Sequence, residues 1–249
     1  MTTTDISTIP AIEHREAMKL QATELDRALE FLRTLDASQW STQTNCPDWD
    51  VRQMWLHVLG ACEAGASIRE NMHQMLAGRK RRKDFGVSLE EGLSAVQVAE
   101  REDLSPRELL ERLDDIAPKT IKGRTRTPRL MRAAKIAIDA PVVEKWTLGY
   151  LIDTIYLRDA WMHRVDTARA TGRELVLTSE HDGRIIADVV AEWARRHGQP
   201  FTLELTGDAG GVFASGEHGE STVIDAVEFC CLLAGRGKPT GLFTTIVPF

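Results

Sequence analysis

No run of apolar residues in this 249-residue chain approaches the ~20 needed to span a bilayer, so a membrane helix is excluded. The N-terminus, Met-Thr-Thr-Thr-Asp-Ile-Ser, has neither the basic start nor the apolar segment of a secretory signal, and a cytoplasmic location is expected. Cysteine is scarce. Cys46, Cys62, Cys230 and Cys231 include no C-x-x-C pair, and a bridge between the adjacent Cys230 and Cys231 would be strained. Four reduced thiols are expected, with no spacing for a structural zinc built on cysteine. Excess positive charge is missing too: the net charge is −6, which gives the whole chain no bias toward nucleic acid or anionic membrane. Internal repeats and low-complexity segments are absent. What remains, 43% hydrophobic and 27% charged residues, is an ordinary globular composition, long enough for one large domain or two modest ones.

The first half reads as helix. Between Ala11 and Leu35 the apolar positions Met18, Ala22, Leu25, Leu29, Leu32 and Leu35 recur every three or four residues and form one stripe. Ser, Thr, Asn and Pro interrupt the pattern between Asp36 and Asp50. Asp50 with Gln53 then makes a capping-box start for a second helix, expected to run to about Leu76 and to end before Gly78. The basic run Arg79 to Lys83 reads as a solvated helix end and loop. Ser105-Pro106 with Glu108 is another helix start, expected to break at Pro118 and Gly123. A short helix is expected within Pro128 to Ile138. After Pro141 a long helical pattern runs from about Val143 to Arg169 and closes at Gly172.

Beyond Gly172 the pattern changes. Ser179 to His197 is amphipathic, with Ile185, Ile186, Val189, Val190 and Trp193 on the buried face. Phe201 to Thr206 alternates with period two, as a half-buried strand does, and Val212 to Ala214 is its expected hairpin partner. Thr222 to Leu233 reads as helix and Leu242 to Val247 as β-prone. The fold expected is mainly α: a four-helix bundle over residues 1–175 followed by a small α/β domain over 176–249.

Chemistry concentrates around residue 160. Asp159 and His163 lie in the apolar stripe that carries Ile152, Ile155, Tyr156 and Met162, and i,i+4 spacing points both side chains the same way. A carboxylate on a buried face is costly unless paired or bound to a metal. The pair is therefore either an Asp–His hydrogen bond or two metal ligands. His57 lies on the second helix, on the face expected to carry Val51, Ala64 and Ile68, with small Gly60 and Ala61 beside it. Facing helices of a bundle commonly build metal sites from such inward groups. Two histidines, one carboxylate and an open position make a catalytic rather than structural zinc arrangement.

Three segments resemble the mycothiol-dependent maleylpyruvate isomerase family within the DinB-like superfamily. Trp40-Ser-Thr-Gln-Thr-Asn-Cys-Pro-Asp-Trp-Asp-Val-Arg-Gln-Met-Trp-Leu-His57 is similar to the family's entry into the second helix. Arg158-Asp-Ala-Trp-Met-His163-Arg-Val-Asp166, followed by Ala170-Thr-Gly172, resembles its second signature. Asp225-Ala-Val-Glu-Phe-Cys-Cys-Leu-Leu-Ala-Gly-Arg236 and the ending Val-Pro-Phe249 resemble its C-terminal domain. The resemblance implies a divalent metal ion, zinc foremost, held by His57, Asp159 and His163. The characterised isomerases carry Glu where this chain has Asp159, one methylene shorter. It also implies a low-molecular-weight thiol cosubstrate, mycothiol in actinobacteria, acting on a small electrophile.

Arg236, matching a Gly-Arg implicated in catalysis, is the candidate cation for charge developing on a substrate oxygen; the alternative is a surface or helix-terminal arginine. Asp166 either orients His163 as an acceptor for its second nitrogen or serves a structural bond. Lys119, Lys122, Arg124, Arg126, Arg129, Arg132 and Lys135 form a stretch without an acidic residue. It reads as a solvated basic face, with a binding surface for an acidic ligand as the alternative, and lacks the aromatics that single-stranded nucleic acid would favour. His181, Asp182, Glu217 and His218 read as surface residues. Three readings stay open: a thiol-dependent isomerase or S-transferase, a non-catalytic metal- or ligand-binding module of the same fold, and a bundle with a purely structural Asp–His pair. Monomer and homodimer are equally open.

Overall fold

The structure, a computed structural model, describes residues 2–140 and 142–249. Backbone contacts divide the chain into two compact units. One is Glu13–Arg173; the other joins Glu174–Phe249 to the N-terminal segment that ends at Ile12. The reason for that joining is a short strand, β1 (Thr3–Asp5), which the sequence pattern does not announce.

Helices α1 (His14–Leu32), α2 (Val51–Ala66), α3 (Ile68–Phe85), α4 (Leu89–Ala99) and α5 (Pro106–Thr125) begin the larger unit. Asp50 caps α2 through the expected box: its carboxylate accepts from the Gln53 amide, and the Gln53 side chain caps in return. The second helix does not continue to Leu76. Ser67 leaves the helical conformation and caps α3 through the Glu70 amide. Ile68 therefore departs from the α2 face and is 86% exposed. The basic run is helical as well: α3 continues through it to a left-handed cap at Gly86. Ser88 and Glu91 form the capping box of α4, and Ser105 and Glu108 that of α5.

Neither Pro118 nor Gly123 breaks α5. Pro118 sits on the exposed face, where the carbonyl that its ring deprives of a partner belongs to exposed Asp114. Gly123 lies against α2, where a Cβ would meet the Gly65 carbonyl oxygen at 2.2 Å. Beside it Thr120 donates 2.7 Å to the carbonyl of Cys62. A short helix α6 (Arg129–Arg132) leads to a two-stranded antiparallel ribbon, β2 (Lys135–Ile138) and β3 (Glu144–Thr147). β-Branched Ile136 and Ile138 and the aromatic Trp146 account for strand where helix was expected.

From Leu148 the chain forms one helical rod of three parts: α7 (Leu148–Tyr150), a π-helical turn (Leu151–Ile155) and α8 (Tyr156–Thr171), closed by left-handed Gly172. Contacts of α1 with α5 and α8, and of α2 with α5 and α8, close a four-helix bundle. Its core includes Leu25, Leu29, Leu32, Met54, Trp55, Leu59, Leu109 and Leu113.

In the smaller unit, α9 (Asp182–His197) buries Ile185, Ile186, Val189, Val190 and Trp193 as expected. Strand β4 (Phe201–Thr206) pairs antiparallel with β5 (Gly211–Ser215), and its alternate residues Phe201, Leu203 and Leu205 are buried. Strand β6 (Glu220–Asp225) replaces the first half of an expected helix. It runs parallel to β4, and Asp225 then caps α10 (Ala226–Leu233). Strand β1 pairs parallel with β5, giving the order β1-β5-β4-β6. The β-prone tail contains a 3-10 turn, Gly241–Thr244, and no strand among the described residues. The whole is a mainly α fold with a small α/β part. No helix among the described residues is long and apolar enough to cross a membrane.

Gly123→Ala tests the α2–α5 approach. Alanine improves helix propensity by up to about 1 kcal/mol, but the backbone clash forces the helices apart at about 1–3 kcal/mol. The expected outcome is a lower melting temperature by circular dichroism.

Candidate metal centre

Each of the three candidate ligands is held by a local device. On α2, the His57 ring stacks on Trp49, the residue just before the Asp50 cap, with centroids 5.1 Å apart and planes at 27°. On α8, the backbone around His163 is tied to α2: Trp55 Nε1 donates to Thr167 Oγ1 at 2.9 Å, and that hydroxyl donates to the His163 carbonyl at 2.7 Å. Asp159 stands one turn earlier, in the first turn of α8. One turn further back, the π turn aims Asp153 at His14 Nδ1 (2.6 Å) and Arg132 Nη1 (2.9 Å), so that this second carboxylate is spent on structure. Irregular turns of this kind frequently accompany functional sites.

These devices bring the three candidates together. Asp159 Oδ2 is 3.8 Å from His57 Nε2, and Asp159 Oδ1 is 3.3 Å from His163 Nε2. The two imidazoles meet edge to face at 5.6 Å. One ligand atom from each residue lies within 4.8 Å of the others, a spacing at which they could hold a metal ion. His163 is 4% exposed, and its Nε2 has no hydrogen-bond partner despite the nearby carboxylate. A buried nitrogen without a hydrogen bond is rare in a folded protein, and metal ligation is one physical reason to keep it. The donor set of two imidazoles and one carboxylate suits zinc.

Asp166 is fully buried, with Oδ2 3.8 Å from His163 Nδ1, beyond hydrogen-bonding range. Cys46, His163 and Asp166 form a second group within the same 4.8 Å limit. Its cysteine comes from the loop between α1 and α2, which sequence reasoning passed over. Arg236 lies in the other unit. It is half-buried just after α10, its amide donating to the Cys231 carbonyl at 2.8 Å and its Nη1 to Ala234 at 3.3 Å.

The basic stretch is not uniformly solvated. Arg124 is 6% exposed, and Arg132 is half-buried on Asp153. His181 and Asp182, expected at the surface, are buried, with Asp182 accepting from the Thr178 amide at 2.8 Å; Glu217 and His218 are exposed. All four cysteines are free thiols.

A helix bundle carrying an inward His–Asp–His group, linked to a small α/β unit, defines the class. Residues 22–168 match the family model described as the mycothiol maleylpyruvate isomerase N-terminal domain, and the chain belongs to that family. Among solved structures it resembles the mycothiol-dependent maleylpyruvate isomerase and a histidine-to-alanine mutant of that enzyme. Each likeness has a TM-score of 0.56 and 16% identity, covering 95% of this chain and 93% of the other. At that identity the likeness speaks for the fold. No curated protein sequence matches the chain.

Burial alone lifts the Asp159 pKa, but neighbouring His163 and then His57 outweigh it and hold the carboxyl well below 3.8. Burial likewise disfavours charge on His163, yet Asp159 foremost, with Asp166, raises it from 6.5 to about 9. In metal-free protein the His163 contribution to stability is complete below pH 6.5 and is lost as pH rises through about 9. The Asp159 contribution is complete above pH 3.8 and is lost in stronger acid. Chelator-treated wild type should therefore exceed Asp159→Asn in melting temperature most clearly at about pH 6, and the gap should shrink at about pH 9.5.

Proposed function

We propose that this protein is a divalent-metal-dependent enzyme using mycothiol or a similar small thiol, either a maleylpyruvate-type isomerase or a thiol S-transferase. His57, Asp159 and His163 are its metal ligands, with zinc the best fit to the donor set. The observation that carries the reading is the convergence of these three side chains within 4.8 Å around an imidazole nitrogen left without a hydrogen bond. Asp159 meets this spacing despite being one methylene shorter than the glutamate of the characterised isomerases. Membership of a family named for mycothiol maleylpyruvate isomerase supports the choice of thiol and reaction class.

A divalent ion at this position supplies a coordination site at which a thiol ionises at neutral pH, and the thiolate is the nucleophilic form. The remaining work falls to the protein. Asp159 contributes one negative charge to the site, while Trp49 stacks on the His57 imidazole and the Trp55–Thr167 chain anchors the backbone of His163. In an isomerisation the thiol sulfur bonds to one carbon of an activated cis double bond. The former double bond, now a C–C single bond, rotates; the C–S bond then breaks, the double bond re-forms in the trans geometry and the thiolate leaves with its electron pair. In S-transfer the C–S bond is kept. Both reactions place negative charge on a carbonyl or carboxylate oxygen, which a cation must meet; Arg236 is assigned that role by the family resemblance. A cytoplasmic setting suits four free thiols and a reduced cosubstrate.

Elemental analysis of protein purified without a metal-affinity tag tests the centre. Wild type should contain about one zinc or similar ion per chain, lost in His57→Ala and His163→Ala; each lost ligand is expected to weaken binding severely. Wild type that stays empty after zinc is added would leave a structural Asp–His pair instead. Arg236→Ala should abolish thiol-dependent turnover at unchanged metal content. Unchanged turnover would remove Arg236 from the mechanism.

A further inference from the structure

Arg124 is the most unusual charge in the bundle. It belongs to α5, is 6% exposed, and no carboxylate among the described residues pairs with it. Its one hydrogen bond is from Nη1 to Gln21 Oε1, at 2.8 Å, which uses one of the five donors of a guanidinium. Nε is buried without a partner. A charge this deep is costly unless something compensates it, and here the only compensation is a neutral amide and the face of Tyr156, 4.2 Å from the guanidinium carbon.

Position adds to the case. Arg124 lines a narrow cleft together with Gln21, Leu25, Cys62, Tyr156 and Asp159, so the unpaired cation shares a wall with a proposed metal ligand. The cleft is tight, with room inside for little more than one water-sized group, the scale of a carboxylate oxygen rather than of a whole substrate. The guanidinium is held in advance: Gln21 Nε2 donates to the Ile152 carbonyl in the π turn at 2.6 Å, which leaves the amide oxygen turned toward Arg124.

We infer that Arg124, steadied by Gln21 and Tyr156, is a carboxylate-recognition site, and that the small electrophile taken by this protein carries its carboxylate onto that guanidinium. A planar carboxylate matches the fork of a guanidinium in a way that a neutral group does not. The substrate assignment rests on the proposed function. With a divalent ion balanced by one ligand carboxylate, and Arg124 balanced by none, the cleft has two positive charges left to meet. A thiolate meets one of them and a substrate carboxylate the other.

Succinate and its neutral analogue succinamide, neither of which reacts with thiols, separate the possibilities by ligand-detected NMR titration of metal-loaded and metal-free full-length protein. Wild type should bind succinate at least about tenfold more tightly than succinamide, the scale of one charge-assisted contact. Arg124→Gln should erase that preference while keeping wild-type metal content. Gln21→Glu, which places a competing carboxylate on Nη1, should erase it too and serves if Arg124→Gln fails to fold. Equal binding of the two probes by wild type together with equal binding of mercaptoacetate and 2-mercaptoethanol, or an undiminished preference in both variants, overturns the site. Selection of mercaptoacetate over 2-mercaptoethanol, with succinate and succinamide bound alike, would assign the anion to the thiol and overturn the substrate assignment. A wild type that holds no metal refutes the proposed function alone, because the succinate preference of metal-free protein reads Arg124 independently.

Discussion

Polar approaches link α2 and α8: Trp55 Nε1 bonds to Thr167, and His57 Nε2 lies 3.8 Å from Asp159. Everything proposed for this chain requires those helices to stay in register, because the ligand set is divided between them. A shift of one turn along the axis, about 5.4 Å, would separate His57 from both partners. The register is held from the far side as well. Gly65 and Gly123 let α2 and α5 meet backbone to backbone, and α5 in turn rests against α1. The proposed centre thus depends on small residues as much as on its candidate ligands.

Buried charge in the bundle is closely paired at two places. Glu24 takes both Arg164 Nε at 2.6 Å and Nη2 at 2.9 Å, and Glu63 takes Arg101 Nε at 2.8 Å. Such pairs are costly to break, because the survivor is left charged in an apolar setting. By contrast, Arg124 has no acid partner among the described residues, and two imidazoles crowd a single Asp159. Both lie on the walls that meet at Asp159. Unbalanced charge concentrated at one place is what a ligand site requires.

The placement of Asp159 and His163 on one side of a helix was legible in the sequence because α8 is regular where it matters, whereas the facing of His57 toward them came only from the family resemblance. Asp159 and His163 fall after the π turn, so i,i+4 spacing holds for them even though the helix is irregular one turn earlier. The end of α2 was not legible: Ser67 marks it without glycine or proline. Pro118 misled in the opposite sense, since a proline on a solvated face is tolerated. Arg124 had a signal that residue type concealed. Leu109, Leu113, Ala117, Thr120 and Arg124 continue one buried stripe at intervals of three and four residues, and composition alone assigned the last of them to the surface. Strand β6 was hidden because Asp225 ends a strand and caps a helix at once, which blends the two into one pattern.

The pairing of Thr3–Asp5 with Val212–Ala214 has a consequence for synthesis. The first strand leaves the ribosome long before its partner exists, with the whole of the bundle sequence between them. At 5–20 residues per second the wait is roughly 10–40 s. During that interval the N-terminal segment is an unpaired strand edge on a growing chain, exposed to any chaperone or neighbouring nascent chain that recognises one. Closure of the β1–β5 pair is therefore a late event, and it joins the segments that precede and follow the bundle in sequence into a single sheet.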